Sequence, residues 1–280
     1  NWISQPGKRD KIILATKIAS KSEGLEWIRE GKDRIGFDKK NMNAAVNASL
    51  KRLKTDYIDL YQLHWPERKV PLFGKLDFQY DPYDTDWETI EGVLGNLNDL
   101  IIAGKIRNVG LSNETPWGTM KFLQMSKEKK LPRMMSIQNV YSLVNRVFDI
   151  ANSEVALREN CGLLAYSPLA GGRITGKYLN GAQPKNTRYT LWPSRFSRHA
   201  TERGDRAISK YVELAKKHNI TPAKMANAFV NDKPFVTSNI IGATSLTQLK
   251  ENIDSININL SQEIMNEIEE IHLYDPNPCV

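Results

Sequence analysis

The residues best placed to do chemistry are polar groups that close apolar runs. Lys17 ends Lys11-Ile-Ile-Leu-Ala-Thr-Lys17, and His64 ends Tyr57-Ile-Asp-Leu-Tyr-Gln-Leu-His64. A lysine at the end of a buried strand needs a partner or a lowered pKa to be tolerated. A lone histidine in such a place is more often a hydrogen-bonded core residue than a catalyst, so His64 gains weight only from its company. That company is polar: Ser112 and Asn113, Gln138, Tyr166 and Ser167, and Gly242 each fall at the end of another apolar run.

Two further segments suggest phosphate chemistry. Gly171-Gly-Arg-Ile-Thr-Gly-Lys177 matches a P-loop up to its last position, where Tyr178 stands. The serine or threonine expected there holds a magnesium ion, and tyrosine is too long to replace it, so a true P-loop is not expected. Ser245-Leu-Thr-Gln248 has capping-box spacing, and Gly242-Ala-Thr244 precedes it. Free backbone N–H groups there could face an anion, although an ordinary loop has the same grammar. No G-x-G-x-x-G fingerprint occurs, so a bound dinucleotide would not rest on a Rossmann turn.

The elements that must position these residues alternate. Met42, Ala45, Val46, Ser49, Leu50 and Leu53 lie on one helical face between the first two strands. Trp87, Ile90, Leu94, Leu97 and Ile101 form a second stripe that Gly104 ends. A strand at 106–112 follows, then a helix entered at Thr115-Pro116, with threonine as N-cap and proline at the first helical position. The spacing predicts a strand at 134–138, a helix over 148–159, a strand at 162–167, and helices over 206–218 and 222–230. A strand at 238–242 and helices over 246–253 and 262–272 complete the chain. Strands joined through helices imply a parallel sheet covered by helices, doubly wound or closed into a barrel. The polar residues named above all fall at strand carboxyl ends, the face that carries the active site of a TIM barrel.

Composition narrows the class. The chain has 280 residues, 40% hydrophobic and 25% charged, with a formal charge of +7. Basic residues at 8–11, 51–54, 127–130 and 195–206 are interleaved with acids or spread out, which describes a solvated surface rather than a nucleic-acid tract. No run approaches the roughly 18 apolar residues of a membrane span. Cys161 and Cys279 have neither metal-ligand spacing nor a disulfide framework, so a reducing cytoplasm is expected.

Several segments together are similar to the aldo-keto reductases. Ile13-Leu-Ala-Thr-Lys17, Tyr57 to Trp65, Gly104-Lys-Ile-Arg-Asn-Val-Gly-Leu-Ser-Asn113, Ile137-Gln-Asn139, Ala165-Tyr-Ser-Pro-Leu-Ala170 and Ile241-Gly-Ala-Thr244 occur in the family's order and spacing. The resemblance covers essentially the whole chain and is strongest to the bacterial Tas-like branch, which also resembles potassium-channel β subunits. It implies a (β/α)8 TIM barrel, NADP(H) bound across the carboxyl face, and reduction of aldehydes or ketones to alcohols.

By the same resemblance, Lys17 and His64 match two members of an Asp, Tyr, Lys, His tetrad. Ser112, Asn113 and Gln138 match residues on the nicotinamide carboxamide, and Tyr166 one that stacks on the nicotinamide ring. Ser167 and Leu169 would lie along the pyrophosphate, with Lys177 and Arg188 near the adenosine phosphate. Gly242, Thr244, Gln248, Glu251 and Asn252 match the segment around the 2'-phosphate, ribose and adenine. No metal is implied.

The departure is at the beginning. The first strand is already the lysine strand, and neither a D-x-A-x-x-Y stretch nor any tyrosine precedes Lys17. The expectation is therefore one aldo-keto reductase barrel domain over 1–280, N-terminally incomplete and lacking its first two βα units. Such a chain would be a poor reductase on its own. Its expected partner is a small-molecule carbonyl substrate, in a monomer or homo-oligomer. The alternative from another class is a non-catalytic NADP(H)-binding regulatory or partner protein.

Overall fold

A computed structural model of the chain describes residues 2–3, 5–21, 26–28, 35–193 and 197–280. They form two compact units.

The first unit comprises residues up to 70, 78–138 and 158–161. It holds strands β1 (Ala15–Ile18), β2 (Ile58–Leu63), β3 (Ile106–Ser112) and β4 (Met134–Gln138), parallel and in chain order. Parallel neighbours need crossovers, and α1 (Lys39–Leu53), α2 (Ile90–Ile102) and α3 (Pro116–Lys129) supply them. Each helix has a side-chain cap, from Asp38, Thr89 and Thr115 to the backbone N–H three residues on. Met42 and Val46 of α1, and Val93, Leu94, Leu97 and Leu100 of α2, are buried with Ile58, Tyr61, Leu63, Val109 and Leu111 of the strands. Five of the six residues of β2 are buried, as expected for a parallel strand covered on both faces.

The second unit comprises 71–77, 139–157 and 162–280. Its strands β5 (Gly162–Tyr166) and β6 (Val236–Ile240) are parallel, and Val140 bridges to Tyr166. Its helices are α4 (Asn152–Arg158), α5 (Arg188–Leu191), α6 (Glu202–Lys217), α7 (Pro222–Asn231), α8 (Leu246–Asp254) and α9 (Gln262–Tyr274), α4 crossing slightly into the first unit. Helix α7 is buried almost throughout, whereas α8 exposes Leu246 and Ile253. Cys161 and Cys279 are free and buried, and burial pushes both thiols up, to about 11 and about 12, so neither is a ready nucleophile.

Several sequence boundaries shift. The first strand begins at Ala15 rather than Lys11, because Arg9–Lys11 form a 3-10 turn held by Arg9 hydrogen bonds to Thr55 Oγ1 and the Tyr57 carbonyl. Helix α2 starts only after its Thr89 cap, which leaves Trp87 outside it, with Nε1 donating to the Asp84 carbonyl at 2.8 Å. The helix expected over 148–159 is a 3-10 turn at Val147–Asp149 followed by α4. No helix among the described residues is long and apolar enough to cross a membrane.

Candidate active site

Strand register puts the candidate residues of the first unit on one face. Lys17 is level with Gln62, Gln62 with Gly110, and Ser112 with Gln138. Side chains alternate along a strand, so Lys17, Gln62, Ser112 and Gln138 share a face, and His64 follows Gln62 by two residues. Gly110 belongs to that row because a Cβ there would lie 2.9 Å from Ser136 Oγ.

Hydrogen bonds knit the row. Gln138 Nε2 donates to Gln62 Oε1 at 3.3 Å, and Ser112 Oγ donates to the Gln138 carbonyl at 2.7 Å. The Asn113 N–H donates to the same carbonyl at 3.0 Å. Asn113 has a left-handed backbone (φ 53°), which asparagine tolerates better than most residues. That turn lets its Nδ2 donate to the His64 carbonyl at 2.8 Å. Ser112, Asn113, Gln138 and His64 are therefore tied into one rigid set. Gln62 Nε2 is buried with no partner, an uncompensated donor next to them.

Among the described residues, Lys17 and His64 have no such partners for their ionisable atoms. Lys17 makes no ion pair among the described residues, and burial lowers its pKa. Burial first, and then the charge of Lys17, lower His64 to about 4, so its imidazole is neutral at physiological pH. The Trp65 ring centroid lies 4.5 Å from that of His64, tilted by 48°, and Trp65 Nε1 donates to the Lys21 carbonyl at 3.3 Å. Glu67 fixes the loops beside it by accepting from the Phe37 and Glu88 N–H groups, both at 2.9 Å. Burial raises its pKa against those two bonds. Arg68 pairs with buried Glu114 and donates to Thr115 Oγ1, the cap of α3. A cavity of about 20 Å³ among Leu63, Trp65, Glu67, Trp87, Val93 and Leu111 holds no more than a water and belongs to helix packing.

In the second unit Tyr166 ends β5, and its N–H donates to the Asn139 carbonyl. Burial raises the Tyr166 phenol pKa, opposed by the charge and hydrogen bond of Arg198. Ser167 follows with φ 59°, and the Leu169 carbonyl accepts from the Gly172 and Ile174 N–H groups. The P-loop look-alike is a 3-10 segment, Ala170–Thr175, bent at Gly171 (φ 67°) and Gly172 (φ 95°), not a loop running from a strand into a helix. Lys177 is half-buried with Nζ 5.2 Å from the Tyr178 ring centroid, and Arg188 is exposed at the start of α5. Buried Arg173 pairs with Asp205 of α6.

The last segment differs from its sequence reading in detail. Gly242 lies two residues beyond β6 rather than ending it. Ser245 caps α8 as its spacing suggests, accepting from the Gln248 N–H, while Gln248 Oε1 accepts from Thr244 N–H at 2.9 Å and Thr244 Oγ1 at 3.0 Å. Thr221 Oγ1 donates to Glu251 at 2.5 Å, and Asn252 is 5% exposed with both side-chain groups bonded inside the protein. Three contributors were missed in the sequence: Gln62, Glu67 and Arg198. The first was detectable, because it is a polar residue in a buried strand two positions before His64. The other two act across loops.

The aldo/keto reductase family profile matches residues 1–273. The chain belongs to the aldo/keto reductase family. It is 45% identical to Protein tas of Escherichia coli (strain K12) over 97% of this chain and 78% of that one, which places it in the Tas-like branch. It is 38% identical to an aldo-keto reductase of Babesia bovis, over 94% and 96% of the two chains. Against L-glyceraldehyde 3-phosphate reductase of E. coli K12 the identity is 28%, over 89% and 66%. The parallel strands alternating with helices are of this family's barrel type. The family reduces small-molecule carbonyls with a nicotinamide cofactor.

Proposed function

We propose that this chain binds NADP(H) and reduces an aldehyde or ketone to the alcohol, in the cytoplasm, with Lys17 and His64 at the reacting carbonyl. The observation that carries the proposal is the pairing of two ionisable side chains, both shifted toward their neutral forms and lacking a carboxylate partner among the described residues, beside the hydrogen-bonded set of Ser112, Asn113 and Gln138. Shifts of this kind, in groups that do not stabilise one another, are typical of functional sites.

The residues fit a nicotinamide dinucleotide. Ser112, Asn113 and Gln138 provide the hydroxyl and amides that a carboxamide needs, and Tyr166 provides an aromatic face for the nicotinamide ring. The Ser167 hydroxyl beside Leu169, then the cations Lys177 and Arg188, suit a phosphorylated chain. Gly242, Thr244, Gln248 and Glu251 suit its 2'-phosphorylated adenosine end. Bound NADPH supplies the hydride.

Neutral His64 donates a hydrogen bond to the carbonyl oxygen and orients it. Lys17, close enough to depress the His64 pKa, stabilises negative charge as it develops on that oxygen, and its ammonium gives the proton that completes the alcohol and regains one from solvent. Trp65 and the loops pinned by Glu67 keep water from one side.

The test is NADPH consumption by the purified chain with a reactive aromatic aldehyde, followed by absorbance, with NADH as the control cofactor. Binding that favours NADPH is expected, with slow aldehyde-dependent oxidation. Failure to bind either dinucleotide would overturn the proposal.

A further inference from the structure

A cluster of metal-ligating side chains lies where α6 meets α9, among residues assigned neither to the carbonyl nor to the cofactor. His218 is the C-cap of α6, and Glu263 and Glu267 stand one turn apart on α9. Taking one ligand atom from each, an imidazole nitrogen and two carboxylate oxygens all lie within 4.8 Å of one another. His218 Nε2 and Glu267 Oε1 are 2.7 Å apart, while Lys217 Nζ donates to the other oxygen, Oε2, at 2.6 Å. The two oxygens of Glu267 are thus divided, one toward the imidazole and one held by the lysine.

Further along the chain, acids have organic cations: Glu269 pairs with Arg146 and Asp275 with Arg203. Glu263 makes neither a hydrogen bond nor an ion pair among the described residues. The His218 N–H closes the last turn of α6 on the Leu214 carbonyl, so the imidazole stands at the negative end of the α6 dipole. Imidazole nitrogen with carboxylate oxygen is a donor set for zinc-class ions, whereas magnesium and calcium prefer oxygen alone. Tetrahedral bonds of about 2.0–2.1 Å set ligand atoms roughly 3.4 Å apart, between the 2.7 Å contact and the 4.8 Å limit of the cluster. Rotation of the exposed Glu263 side chain brings its oxygen in, and water takes the fourth position. A carboxylate that ligates a metal is usually hydrogen-bonded as well, which is what Lys217 supplies to Glu267.

We propose that His218, Glu263 and Glu267 bind a zinc-class divalent ion that clips α9 to the end of α6. The ion replaces the hydrogen bond between His218 and Glu267 and gives Glu263 a partner. Its ligands come from two helices that only packing brings together. It therefore binds the folded chain far better than the unfolded one, and its affinity adds to stability.

The experiment titrates zinc chloride into the full chain, free of any histidine tag, by calorimetry, with magnesium chloride as the control and the melting temperature recorded alongside. One zinc per chain, a melting temperature that rises with zinc, and no response to magnesium are expected. Losing a group that merely supports a metal ligand already costs about 10- to 100-fold in affinity. H218A should therefore weaken zinc by at least about 100-fold, and E263Q by at least about 10-fold. Cobalt chloride gives a second readout, because the visible absorbance of a four-coordinate ion should appear with the wild type and be lost in H218A. Absence of zinc binding by the wild-type chain would overturn the proposal. Equal affinity in the wild type, H218A and E263Q would overturn it too, by placing the ion elsewhere, as would magnesium binding as tight as zinc. If H218A does not fold, E263Q decides alone, since its side chain is exposed and has no hydrogen bond among the described residues to lose.

Discussion

The two ends of the four-stranded sheet in the first unit treat charge in opposite ways. At the amino end Asp59 accepts the Leu14 N–H at 3.0 Å and pairs with Arg9 at 2.7 Å and Arg107 at 3.1 Å. Both guanidinium groups lie over the Tyr57 ring, 3.8 and 3.7 Å from its centroid. Burial pushes the Asp59 carboxyl up, but these partners outweigh it and hold the pKa below its ordinary value. At the carboxyl end Lys17 and His64 are shifted the other way, toward the neutral form, and no partner among the described residues offsets the burial. One end spends its charges on folding. In the proposed function the other keeps them available for a ligand, at a cost in stability, in keeping with the division of labour between the two faces of a (β/α) barrel.

The contrast can be broken at four points. His64→Gln removes the orienting group, and carbonyl reduction should fall by about 100-fold or more while the melting temperature holds; a mild loss of rate would move His64 to the amino-end pattern. Asp59→Ala leaves Arg9 half-buried without its anion and should cost about 3 kcal/mol in urea denaturation, with turnover per folded molecule unchanged.

The pH dependence of stability has a definite sign. His64 binds its proton less readily folded (about 4) than in the unfolded chain (ordinarily 6.5), so its contribution to stability is complete above pH 6.5 and is lost as pH falls toward 4. The melting temperature of His64→Gln should therefore decline less than that of the wild type across that window. The smallest effect belongs to Arg107→Met. Its side chain is 57% exposed, so loss of its ion pair should cost less than about 1 kcal/mol. A cost equal to that of Asp59→Ala would show that the triad, not the buried Arg9 pair, is the unit of stability.

Much of this was legible in the sequence. The β2 run ending in His64 and the Thr115-Pro116 helix start are local signals, read directly from residue type and spacing, and both appear where expected. Local spacing could not show that Arg9 would hold residues 9–11 in a turn through bonds to Thr55 and Tyr57, far along the chain. Trp87 fits the α2 stripe by period alone, yet the Thr89 cap starts the helix after it. Asn252 matches the family by position. Its amide is nevertheless taken by Asn227, 25 residues away, a pairing that only the packing of α7 on α8 creates.

The central claim is that Lys17 is kept for chemistry and not for folding, and Lys17→Met tests it in one paired measurement of melting temperature and NADPH-dependent aldehyde reduction. Removing a half-buried ammonium that has no ion pair among the described residues, while keeping its apolar stem, should leave the melting temperature equal or higher and abolish turnover. A lower melting temperature with turnover intact would contradict the account.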